Sequence, residues 1–202
     1  GARYLALGTF VDPDSPVPAA LPTAKQFAQK MAALGVPQGA RLVVYDDSYV
    51  KTAARAWFIA RLHGAQVAVL DGGLAKWRAE GRPVESGEAE IAATQYNAGP
   101  GTGDVRFKDQ MLANLTTAKE VVVDARGAKR FTGEDSDFRP NVADGHIPGS
   151  RNVPFDQVLN ADGTYKSPEE IRAAFTAAGV ELNQPVATTC GGGVTAEEVR
   201  RR

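Results

Sequence analysis

The sequence predicts an α/β protein of two domains, each a central, mainly parallel sheet flanked by helices. Three observations predict it. Short apolar runs alternate with helical patterns, the order of signals in residues 1–58 returns in residues 149–202, and a Gly- and Pro-rich stretch separates the halves.

The first helical pattern, "TAKQFAQKMAALGV" (23–36), opens on a Thr cap and closes on Gly35, with Phe27, Met31 and Leu34 on one face. "RLVVYD" (41–46) is a buried strand. "TAARAWFIARLHG" (52–64) repeats the helix design, with Thr52 as cap, and His63 is expected to cap its last carbonyls with the imidazole. Trp57, Phe58 and Trp77 read as core or domain-interface side chains rather than ligand platforms. "QVAVLDGG" (66–73) and "EVVVDAR" (120–126) are further strands, whose Asp71 and Asp124 are expected to bond backbone amides. "SPEEIRAAFTAAGV" (167–180) carries Ser167 as N-cap, Pro168 at the first helical position, a Glu three residues after the cap, and Gly179 at its end. The last strand is "PVATTC" (185–190).

Aligning the halves sets "GARYLALGTF" against "GSRNVPFDQV", "ALGV" against "AAGV", and "RLVVYD" against "PVATTC", so that Asp46 stands opposite Cys190. Residues 1–99 are expected to form the first domain, with linker from about residue 80, and residues 100–202 the second. The first half continues with "QVAVLDGG" and "LAKWRAEG" where the second stops at "EEVRRR", and "VVVDARGAKRF" has no counterpart before Gly1. Both ends are therefore expected to be cut short.

Composition narrows the function. A net charge of -1 with interspersed acids and bases gives no basic field for a nucleic-acid backbone. No apolar run reaches the length of about 18 residues that spans a bilayer, and no signal pattern opens the chain. The single cysteine cannot build a disulfide framework, so a reducing compartment, the cytoplasm, is expected. No His, Cys and carboxylate cluster has metal-ligand spacing; neither metal nor cofactor is expected.

The chemistry centres on "TTCGGGVTAEEV" (188–199): a strand ending in a cysteine, three glycines, then a helix start. Consecutive N–H groups of such a loop can converge on an anion, and the helix dipole adds positive potential. Cys190 should then ionise below the usual value of about 8.5 and be nucleophilic. Gly191, Gly192 and Gly193 carry no Cβ to hinder the turn, and Thr195 can donate its hydroxyl to the same anion or cap the helix.

"CGGGVTA" (190–196), "GHIPGSRNVPF" (145–155), "VVVDAR" (121–126), "VVYDD" (43–47) and "VLDGGLAKWRAEGRPV" (69–84) together resemble the tandem-domain rhodaneses, the thiosulfate and 3-mercaptopyruvate sulfurtransferases. The resemblance implies a silent first domain, with Asp46 at the thiol's place. In the second, Cys190 takes a sulfane sulfur from a small-molecule donor as a persulfide and hands it to cyanide, a thiol or a protein thiol. It implies a cradle formed by Gly191, Gly192, Gly193, Val194 and Thr195, and donor anchoring by Arg130 and Arg139, which lie 16 and seven residues before His146. A surface ion pair of either arginine with Glu134, Asp135 or Asp137 is the alternative. His146 is structural in the resembling motif, holding the "HIPG" turn.

Two positions depart from the mercaptopyruvate branch: Gly192 stands where Ser or Thr is usual, and Ala19 where a His is usual. The glycine-only loop lacks the cations of thiosulfate-preferring relatives, which favours mercaptopyruvate. A loop of six residues from Cys190 to Thr195 matches sulfur rather than phosphate chemistry, the related cysteine phosphatases having one residue more. Phosphatase or arsenate reductase activity, and a non-catalytic sulfur-relay or regulatory module, remain alternatives.

Overall fold

The computed structural model describes residues 1–48, 52–87, 89–137 and 142–200, and the chain divides into two compact units, Gly1–Asp104 and Val105–Arg202.

In the first unit a 3-10 turn (Leu7–Thr9) precedes α1 (Ala24–Ala33), β1 (Leu42–Val44), α2 (Ala53–Leu62), β2 (Val67–Val69) and α3 (Gly73–Ala79). β1 and β2 pair in parallel, Leu42 opposite Val67 and Val44 opposite Val69. Thr23 and Gln26 form a reciprocal capping box at the start of α1, satisfying two donors that the helix leaves open. Phe27 and Met31 of α1 pack with Phe10, Ile59 and Ala60 into the core, and Leu34, Leu42, Val67 and Tyr96 close around them.

Two expectations for α2 are corrected. Thr52 does not cap the helix with its side chain: its backbone is already helical, and its hydroxyl donates at 2.8 Å to Asp46, whose carboxylate takes the Ala53 N–H instead. Nor does the His63 imidazole bond the last turn. The His63 backbone N–H does so, reaching Ile59 and Ala60, while the ring Nε2–H donates at 2.9 Å to the Pro22 carbonyl and stacks on Phe27. Burial lowers the His63 pKa, partly countered by that hydrogen bond.

The weakly periodic stretch after α3 is not a free tether throughout. Thr94 N–H donates to Ala32, Thr94 Oγ1 to Val36, Gly99 N–H to His63 and Thr102 N–H to Arg61. Residues 94–102 thus strap the ends of α1 and α2, bonding carbonyls in and just after their last turns. The approach is close enough that a Cβ on Gly101 would stand 1.9 Å from the Arg61 oxygen.

The second unit runs α4 (Lys108–Thr117), β3 (Val121–Asp124), α5 (Ala128–Thr132), β4 (Arg151–Asn152), a 3-10 turn (Phe155–Val158), α6 (Pro168–Ala177), β5 (Val186–Thr189) and α7 (Thr195–Arg200). Its sheet has the order β4-β3-β5, all parallel, with Val121 opposite Val186 and Asp124 opposite Thr189. Ser167 and Glu170 cap α6 reciprocally with Pro168 at its first position. Val123, Ala125, Val153, Val158, Ile171, Phe175, Val180 and Val199 form the core, against which Cys190 packs. No helix among the described residues is long and apolar enough to cross a membrane.

Candidate active site

Parallel strands deliver their C-terminal ends to one edge of the sheet, and the β3–β5 register decides what meets there. Asp124 lies opposite Thr189, and the Ala125 N–H donates to the Thr189 carbonyl at 2.9 Å. Cys190 therefore leaves β5 beside the segment Asp124-Ala125-Arg126.

Cys190 is a free thiol and partly buried, and the Gly193 N–H donates to its Sγ at 3.0 Å. The loop turns back at Gly193, whose φ of +70° a glycine adopts without strain. Gly191 is exposed, while Gly192, Gly193, Val194 and Thr195 are half-buried. The Glu197 N–H closes onto the Val194 carbonyl, so Thr195 is the first residue of α7 rather than its cap. The thiol is thus bonded by one loop N–H and reachable from solvent.

Arg130 lies in α5, its guanidinium paired with the Asp137 carboxylate. This is one of the ion pairs that the sequence left open. The Asp137 side chain is 1% exposed, whereas that of Arg130 is 28% exposed. Arg139 lies outside the described residues.

Arg126, not singled out in the sequence, follows the strand end that pairs beside Cys190. Its guanidinium grips the Asp124 carboxylate with Nε at 3.0 Å and Nη2 at 2.7 Å from Oδ2, and gives Nη2 to the Gly145 carbonyl at 2.6 Å. Asp124 also accepts the Arg126 backbone N–H, as expected of a strand-end aspartate. The Asp124 hydrogen bond raises the Arg126 pKa above the usual arginine range; burial opposes it, and the negative charges of Asp124 and Asp137 add to it. The signal in the sequence was the acid and base two apart at a strand end, "DAR". His146 holds its turn: Nδ1–H donates to the Phe131 carbonyl at 2.7 Å and the ring stacks on Phe131.

In the first unit the matching position is filled by a carboxylate. Asp46 Oδ2 accepts from the Ala53 N–H at 2.6 Å, from Thr52 Oγ1 at 2.8 Å and from Ser48 Oγ at 3.1 Å.

The family pattern described as Rhodanese-like domain matches residues 2–80 and again residues 107–202. The chain belongs to the rhodanese family. Among rhodanese relatives, 3-mercaptopyruvate sulfurtransferase of Mus musculus is 37% identical over 199 residues, covering 97% of this chain and 67% of the mouse protein. Thiosulfate sulfurtransferase of Cricetulus griseus is 35% identical over 202 residues, with 97% and 67% covered. The crystal structure of the 3-mercaptopyruvate sulfotransferase SseA from Escherichia coli superposes with a TM-score of 0.88 at 35% identity, covering 99% of this chain and 75% of SseA. The rhodanese chain described here therefore spans about two thirds of the length of these mammalian relatives.

Proposed function

We propose that this rhodanese is a sulfurtransferase that carries a sulfane sulfur on Cys190. The observation that carries the reading is a solvent-reachable thiol at the end of β5 with the Gly193 N–H on its sulfur. The names of its relatives point the same way.

In the first half-reaction the Cys190 thiolate attacks the transferable sulfur of the donor. With thiosulfate, the S–S bond breaks and sulfite leaves with the electron pair. With 3-mercaptopyruvate, the C–S bond breaks and the enolate of pyruvate leaves, taking up a proton to become pyruvate. Either way Cys190 holds an anionic persulfide, which the Gly193 N–H and the glycine-lined loop (Gly191, Gly192, Val194, Thr195) stabilise. In the second half-reaction cyanide or a thiol, free or on a protein, attacks the outer sulfur and releases the thiolate. Arg130 and Arg139 anchor the donor's carboxylate, a planar anion that suits a guanidinium fork.

The first unit, with Asp46 in the thiol's place, is read as the silent member of a tandem pair, with the linker from about residue 80 and the boundary near residue 100. A free thiol suits a reducing compartment, and we place the chain in the cytoplasm. Incubation with donor should add the mass of one sulfur to the intact protein, and turnover should follow with cyanide or a thiol; a chain that binds donor without loading would be a binding module. Arg130→Ala and Arg139→Ala should raise the apparent KM for 3-mercaptopyruvate more than for thiosulfate, and equal effects would remove the two arginines from donor choice.

A further inference from the structure

We propose that Asp137 is a built-in competitor for the donor, its carboxylate occupying the Arg130 guanidinium until an anionic donor displaces it. The proposal rests on the reading of Arg130 as donor anchor. Arg126 and Arg130 are held differently. Arg126 is bonded through Nε and Nη2 to Asp124 and through Nη2 to the Gly145 carbonyl, its side chain 10% exposed. Arg130 is the more exposed, and its partner Asp137 comes from the segment after α5 with a side chain that is 1% exposed.

A carboxylate on a guanidinium is the contact that a 2-oxo acid donor would make. Exchanging one carboxylate for another conserves the hydrogen bonds of Arg130, so the exchange opposes donor binding mainly through the charge left on Asp137. That charge is not abandoned, because Arg126 lies within its field. Removing the Asp137 charge leaves the surroundings of Arg130 one unit more positive toward an incoming anion.

The test uses pyruvate, a carboxylate without transferable sulfur, titrated into the full chain by calorimetry, so that binding is read apart from turnover. Asp137→Asn keeps an oxygen for Arg130 and removes the charge; it should bind pyruvate roughly three- to tenfold tighter. Its KM for 3-mercaptopyruvate should fall by a similar factor with kcat little changed. Asp137→Ala should move both quantities the same way. Weaker pyruvate binding or a higher KM in either variant would overturn the proposal, making Asp137 a support that positions Arg130. In an Arg130→Ala background the Asp137→Asn effect should vanish; its persistence would mean that the anion sits elsewhere, and would also overturn it. Wild-type chain that takes no sulfur onto Cys190, while Asp137→Asn tightens pyruvate, would refute the sulfurtransferase reading and leave the competitor standing. A loaded Cys190 with unaltered pyruvate affinity would do the reverse.

Discussion

The loops at Asp46 and Cys190 occupy equivalent places: each follows a parallel strand, β1 or β5, and leads into a helix, α2 or α7. In the first, a carboxylate takes the Ala53 N–H at the helix start together with two hydroxyls. In the second, a loop N–H is aimed at a sulfur atom. A strand-to-helix junction collects donors that need an anion, and the side chain there decides the outcome. Asp46 satisfies them permanently as a cap. Cys190 satisfies them with an atom that can also form and break bonds.

The comparison can be broken most severely at the sulfur. Cys190→Ser should abolish the mass gain with either donor and lower kcat by at least about 10³-fold, since the chain has no other thiol. The mirror experiment is Asp46→Ala. It removes the acceptor of one amide and two hydroxyls, so thermal unfolding should report a loss of about 1–2 kcal/mol, with sulfur loading on Cys190 unchanged. A variant that loads sulfur poorly yet unfolds normally would contradict the division of labour between the loops. The smallest effect is expected at Gly193→Ala. A side chain at φ +70° costs about 1 kcal/mol and turns the N–H away from Sγ, and the rate of sulfur loading, followed by quenched mass spectrometry, should fall roughly tenfold.

What the sequence disclosed was written locally. The boxes Thr23/Gln26 and Ser167/Glu170 are encoded within four residues, and both helices begin where those residues stand. The βαβ alternation fixed the fold class, and the Cys-Gly-Gly-Gly turn marked the thiol. What stayed hidden depends on partners distant in the chain. The two residues of β4 are too few for a periodic signal, and they become a strand only through pairing with β3. The short helices α3 and α5 and the weakly amphipathic α4 were equally silent. Arg126 stood out only once the strand register set its segment beside the end of β5. His63 was misassigned because its ring finds a carbonyl 41 residues away rather than in its own helix.

The strap over residues 94–102 bears on how this protein can be dissected. The family pattern stops at residue 80 in the first half, yet the segment whose backbone bonds the Ala32, Arg61 and His63 carbonyls, and whose Thr94 hydroxyl bonds that of Val36, comes later. Tyr96, which packs on the core, comes later too. A truncation placed at residue 80 would bare the Val36 and His63 oxygens and open the hydrophobic interior, yielding an aggregating fragment, whereas a cut after Asp104 would carry the closing segment with it.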